Sequence, residues 1–322
     1  MRKVLLATTA LVAMGGVSAA SADITLSGSA SYNCITTSGT GGQNTTAAGG
    51  PANAEDRDMT TTVDANIALD AALDNGMSIS GLVSLDEGGV DDSGWSIAGD
   101  FGTLAFGGTA NDGFGATATG LTADEGNTFA STTGTTAATA LTMPYKTVHN
   151  DYIPHSDVSL TLPAVSGFQL GVGITDGTSS AGDGTQWGLK YSMEAGSMTV
   201  DVAYASASTG TAGSDASSAG ATLTMGDTTI VVASNETGTY TSDSIGASYA
   251  VSDALTVQGY TGSTTKSDTA GYESEDTALG LTYTVTTGLT LSVTHNDFSG
   301  KGSTDNAAEA GTRTVIALDA TF

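Results

Sequence analysis

Few residues in this chain have the type and spacing to do covalent chemistry. The three histidines, His149, His155 and His295, are scattered and show no paired metal-ligand spacing. His295-Asn296-Asp297 is the one cluster of general-base type, and no nucleophile motif such as GxSxG accompanies it. Cys34 is the single cysteine, so no intramolecular disulfide framework exists, and it reads as an incidental thiol. Asp91-Asp92, Asp124-Glu125 and Glu273-Ser274-Glu275-Asp276 offer hard oxygen ligands of the kind Ca²⁺ or Mg²⁺ takes. None has the twelve-residue calcium-loop spacing, and no nonapeptide calcium repeat recurs. The pattern admits weak Ca²⁺ or Mg²⁺ binding by acidic loops, implies no cofactor, and does not favour an enzyme.

The elements that carry these residues are constrained by composition. The 322 residues include 44 Gly, 4 Pro and 2 Trp, with 34 acids against 8 Lys and Arg, a formal charge of −26. That balance lacks the basic footprint of a nucleic-acid binder. No stretch beyond the first residues is apolar for the roughly 18 positions a membrane helix needs. Helical periodicity is missing too. A secreted all-β protein and a β-barrel with a polar interior survive.

The amino terminus sets the compartment. Arg2 and Lys3 precede a short apolar run from Val4 to Val17, and Ala20-Ser21-Ala22 is a small-x-small cleavage site. This is the pattern of a secretory signal peptide over residues 1–22, with a single domain at 23–322. Two of the eight cations lie in the signal, so its removal leaves six against 34 acids, a charge of −28.

Segment after segment then alternates apolar and polar residues. Leu279, Leu281, Tyr283 and Val285 oppose Gly280, Thr282 and Thr284. Phe168, Leu170, Val172 and Ile174 oppose Gln169, Gly171 and Gly173. Period two marks a strand with one apolar face. A packed sandwich puts bulky apolar residues inward and charges outward. Here the second face is Gly, Ser, Thr and Ala with occasional Asp, which fits an apolar side in lipid and a polar side on a watery lumen.

Sixteen strands are predicted, near 24–32, 57–71, 76–86, 94–100, 103–108, 157–162, 167–175, 185–193, 197–205, 216–225, 228–235, 242–251, 254–261, 276–285, 288–296 and 312–322. Short turns alternate with longer loops, the layout of an up-and-down barrel with short periplasmic turns and external loops. The longest connection is 109–156. The last strand puts Ile316, Leu318, Ala320 and Phe322 on the lipid face and ends on an aromatic carboxyl-terminal residue. That ending resembles the assembly signal of bacterial outer-membrane proteins. Tyr32, Trp95, Trp187, Tyr191, Tyr204, Tyr249, Tyr283 and Phe322 are candidates for interfacial girdles.

Three stretches resemble alphaproteobacterial general porins of the Rhodobacter type. They are Asp23-Ile24-Thr25-Leu26-Ser27-Gly28-Ser29-Ala30, then Ile97-Ala98-Gly99-Asp100-Phe101-Gly102-Thr103-Leu104-Ala105-Phe106-Gly107-Gly108, and the terminal strand ending in Phe322. The second is similar to the "GDFG…FG" hairpin of that family, with Gly108 where a charged residue is usual. The resemblance implies a homotrimer of 16-stranded barrels in outer-membrane lipid, inserted by the barrel-assembly machinery. Each barrel is then a passive pore for small hydrophilic solutes and ions. It also implies that 109–156 folds inward as a constriction loop carrying Asp112, Asp124, Glu125, Lys146 and Asp151. Carboxylates in a narrow neck raise local cation concentration and repel anions.

The wall opposite such a loop usually carries an arginine cluster in that family. Here the cationic candidates by alternation are only Arg57, Lys190 and Arg313, alongside the lumen acids Asp64, Asp70, Asp201 and Asp319. The scarcity of cations departs from the family pattern and favours cation preference. The competing class is a secreted acidic β-rich adhesin or surface-layer protein, whose strands would carry bulky inner faces and lack the terminal-Phe strand.

Overall fold

A computed structural model describes residues 22–40, 56–73, 75–86, 89–107, 157–175, 183–208, 215–237, 240–266, 273–301 and 308–322. These residues form sixteen strands. They are β1 (Ala22–Thr40), β2 (Asp56–Ala72), β3 (Ser78–Asp86), β4 (Gly89–Gly99), β5 (Gly102–Gly107), β6 (Val158–Thr161), β7 (Phe168–Thr175) and β8 (Gly184–Ala195). The second half holds β9 (Met198–Ser208), β10 (Ala216–Met225), β11 (Thr228–Thr237), β12 (Tyr240–Ser252), β13 (Leu255–Lys266), β14 (Glu273–Thr286), β15 (Leu289–Lys301) and β16 (Ala308–Thr321). Each pairs antiparallel with its sequence neighbours, and β1 pairs with β16, so the sheet closes. The predicted signal segment and the 109–156 loop lie outside the described residues, apart from Ala22.

All sixteen predicted strands are present. Most reach further toward the loops than predicted: β1 runs to Thr40 rather than 32, and β15 to Lys301 rather than 296. Alternation stops where the apolar band stops, but antiparallel pairing needs no apolar face, so the ladder continues with polar residues into water. The β6–β7 turn sits one residue later than predicted, at Ser166–Gly167 (φ 51° and 85°), with Val165 and Phe168 exchanging backbone hydrogen bonds at 2.7 and 3.0 Å. Both central residues have positive φ, as a twist-matched two-residue hairpin requires. The β12–β13 turn has no such glycine. Instead, the Ser252 hydroxyl accepts from the amides of Ala254 and Leu255 at 3.3 and 3.2 Å.

Two opposed faces result. Leu26 (72% exposed) and Leu279 (66%) stand on the outer surface with most other large apolar side chains. An outer face of this kind is the reverse of a soluble sandwich and rules out the adhesin architecture. The girdle aromatics fall on the same outer side. Phe168 packs tilted against Tyr191 at 4.4 Å toward the turn end, and Trp187 packs on Tyr204 at 5.3 Å toward the loop end.

Closure depends on a close approach at the carboxyl terminus. Gly28 donates to the Phe322 carbonyl at 2.7 Å, and the Phe322 amide donates to the Gly28 carbonyl at 3.0 Å. The Phe322 ring lies over Gly28. A Cβ at position 28 meets ring atom Cε2 at 2.8 Å and the Asp64 carbonyl oxygen at 3.0 Å. Gly28→Val is therefore expected to destabilise the closed barrel by about 1–3 kcal/mol, as overpacking does. A lower urea midpoint for the heat-modifiable band on an unheated gel measures this; an unchanged midpoint contradicts the Phe322 contact.

Candidate functional site

Strand parity decides what lines the lumen. In β2 the outer residues are Met59, Val63 and Leu69, so Asp64 and Asp70 point inward. In β9 the outer Val202 and Tyr204 leave Asp201 inward with the buried Ala203 and Ala205. In β8, Trp187 and Leu189 face out and Lys190 faces in. In β16, Ile316 and Leu318 face out, leaving Arg313 and Asp319 inward. Small inward residues keep the bore open.

Two acids are held by hydroxyls of β1. Ser29 donates to Asp64 at 3.3 Å, and Ser31 donates to Asp319 at 2.6 Å. Asp23 lies directly opposite Asp70 in register, at the turn end of β1 and β2. Asp201 lies between Ser192 and Thr222, four residues into β9 from its turn. Asp23, Asp70, Asp201 and Asp319 thus lie toward the turn end.

Arg313 sits elsewhere. Direct register partners run from Asp201 through Thr222, Val231, Gly246, Tyr260, Ala278 and Asn296 to Arg313. Seven strand steps at about 4.8 Å each separate the two ends by roughly 34 Å of wall. Because the strands tilt, the row climbs, and Arg313 lies toward the loop end. Lys190 pairs with Gln169 and Ala203 and is a diagonal neighbour of Asp201. The structure thus brings Lys190 near Asp201 and sets Arg313 apart.

Arg57 pairs through its backbone with Thr36 near the loop end of β2. Asp112, Asp124, Glu125, Lys146 and Asp151 lie outside the described residues.

The His295 cluster is an outer-surface feature. His295 Nδ1 lies 2.8 Å from Thr314 Oγ1, and Nε2 lies 3.8 Å from Asp297. The backbone around His295 is paired into the β14–β15–β16 ladder. His295, Asp297 and Thr314 are better placed to cap the polar edge of the apolar band.

The sequence reading missed the inward polar residues that carry no charge. Gln186, Asn235 and Asn296 are buried on the lumen side. Ser218 donates to Asn235 Oδ1 at 2.6 Å. The same alternation that placed the acids would have found them.

The sequence matches the Gram-negative porin family over residues 7–312. The chain belongs to the Gram-negative porin family. This porin is similar in structure to a multiply substituted porin of Rh. blastica (14% identity, 93% of this chain and 100% of that one, TM-score 0.61). It is also similar to the outer-membrane channel DcaP of Acinetobacter baumannii (10% identity, 94% and 97% covered, TM-score 0.59). OmpT of Vibrio cholerae is a third (13% identity, 95% and 99%, TM-score 0.60). No curated protein matches the sequence significantly. The porin is an outer-membrane channel for passive diffusion rather than an enzyme.

Opposite faces of one strand should respond oppositely to charge. Leu281→Arg, on the lipid side of β14, is expected to cost about 2–4 kcal/mol of folding free energy in bilayers. Thr282→Arg, one residue away on the lumen side, is expected to cost far less. Equal losses in a lipid-vesicle unfolding titration contradict the assigned parity.

Proposed function

We propose that this porin is a homotrimeric channel that prefers cations and is narrowed by residues 109–156. The observation carrying the selectivity is the described lumen wall: Asp64, Asp70, Asp201 and Asp319 against Lys190 and Arg313. A wall with more fixed negative than positive charge concentrates cations and excludes anions. Asp112, Asp124, Glu125 and Asp151, against Lys146, add to that bias if 109–156 enters the bore. The acidic loops bind Ca²⁺ or Mg²⁺ weakly in this reading. Processing after Ala22 and recognition of the Phe322 strand by the barrel-assembly machinery belong to it as well.

The test is the reversal potential of the purified channel in a planar bilayer under a salt gradient. A cation-selective potential is expected. It should shift toward neutral in Asp124→Asn/Glu125→Gln, by more than in Asp64→Asn. Anion selectivity of the parent protein overturns the reading.

Trimerisation has its own support. A spanning strand needs about 9–11 residues, whereas β5 has 6 and β6 has 4. That arc of wall calls for protein cover, and a second copy supplies it. Leu104, on the outer side between Ile97 and Leu160, lies at its centre. Leu104→Arg is expected to convert a trimer band into monomer on an unheated gel. A persistent trimer places the contact elsewhere.

A further inference from the structure

The outer face of the barrel is notched between β2 and β5. Direct register partners run from Leu69 through Gly81 and Trp95 to Phe106, one residue from each strand. Partners in register share a face, and the exposed Leu69 and Trp95 put this row on the outer side. Gly81 brings no side chain to a row whose other members are large. A groove of about 360 Å³ results, with Gly81 between Leu69 on one side and Trp95 with Phe106 on the other. Trp95 and Phe106 stack at 4.4 Å with their planes 16° apart, so that side is a flat aromatic wall. A Cβ added at Gly81 meets nothing closer than Leu69 Cβ at 3.7 Å and the Gly94 carbonyl oxygen at 3.8 Å. The space over the glycine is open.

Its occupant follows from its position. The groove is continuous with the apolar outer face, and that face of an outer-membrane barrel meets hydrocarbon. The Leu69–Gly81 pair lies three steps from the last β2–β3 pair, Ala72–Ser78, and Trp95–Phe106 lies four steps from Gly99–Gly102. At about 3.3 Å per residue the groove is roughly 10–13 Å from the turns along the strands. It opens within the turn-side half of a core about 30 Å thick. No residue lining it carries a charge, so it has nothing to hold a lipid headgroup. A cavity of about 150 Å³ takes a benzene ring, and this groove has more than twice that volume, room for a run of methylenes. It lies to the β2–β3 side of Leu104, beside the arc proposed above for subunit contact.

We propose that this groove is a binding site for one acyl chain of a phospholipid in the turn-side leaflet. The chain lies over Gly81 and packs against the Trp95–Phe106 wall. Lipid tails are as apolar as leucine, so burial alone gives no preference for this place. Preference comes from packing. Strand pairing and the stacked rings fix the lining, and a chain in the groove gains dispersion contacts around it rather than beneath it alone. The bound chain therefore exchanges with bulk lipid more slowly than chains on the smooth outer surface.

The two tryptophans of the chain make the test. Trp95 lines the groove and Trp187 stands on the outer face of β8, and they are similarly exposed, 44% and 47%. Bromine on an acyl chain quenches tryptophan fluorescence on contact. The full mature porin is reconstituted as Trp187→Phe, reporting Trp95, and as Trp95→Phe, reporting Trp187. The vesicles are dioleoyl phosphatidylcholine with a rising fraction of the same lipid brominated at mid-chain. Trp95 quenching is expected to reach its half-point at an about threefold lower brominated fraction than Trp187 quenching, the preference that groove packing supplies. Adding Gly81→Leu, which fills the groove, should bring the Trp95 curve onto the Trp187 curve. Gly81→Ala should fall between. Coincident curves for the two tryptophans overturn the site. So does a Trp95 curve that neither Gly81 variant shifts, with both shown folded by heat-modifiable migration. Trp95 resisting quenching that Trp187 undergoes means that protein covers the groove, and overturns the lipid assignment in favour of a second copy.

Discussion

Every other feature of this porin depends on one constraint: backbone amides and carbonyls cannot be left unpaired in hydrocarbon. A sheet satisfies them only by closing on itself. Here the closing seam joins β1 to β16 and ends at the reciprocal pair between Gly28 and Phe322. The seam fixes the register of β1 against both neighbours, which fixes which residues of β1, β2 and β16 face inward. Ser29 then meets Asp64 and Ser31 meets Asp319. The seam that closes the sheet therefore also sets the charge near the turn end.

The wall that follows is electrically uneven. Asp23, Asp70, Asp201 and Asp319 gather toward the turn end, while Arg313 lies toward the loop end beside a buried amide. Tilt turns a flat row of register partners into a climbing one, so Asp201 and Arg313 belong to the same row yet occupy different depths. Small residues between them keep the lumen open and leave the few polar groups dominant.

The division between sequence and structure can be followed residue by residue. Leu279, Leu281 and Tyr283 announced their outer face because a strand has a strict period of two, and a whole apolar stripe is hard to produce by chance. Asp201 was placed inward by the same rule. Strand ends toward the loops were underestimated, since polar ladders carry no alternation to read. Asn296 was read beside His295 and Asp297 as a run along the chain, and alternation separates it from both.

The sequence by itself determined the sixteen strands, their two faces, the export pattern and the excess of acid, because each of these is local in the chain or summed over it. Tertiary structure alone decided which strands meet at the seam, how deep each inward charge lies, and that Asn296 and Arg313 stand side by side. Those two residues are seventeen positions apart, on either side of a loop. Only the register of β15 on β16, set by hydrogen bonds around a closed sheet, brings them together.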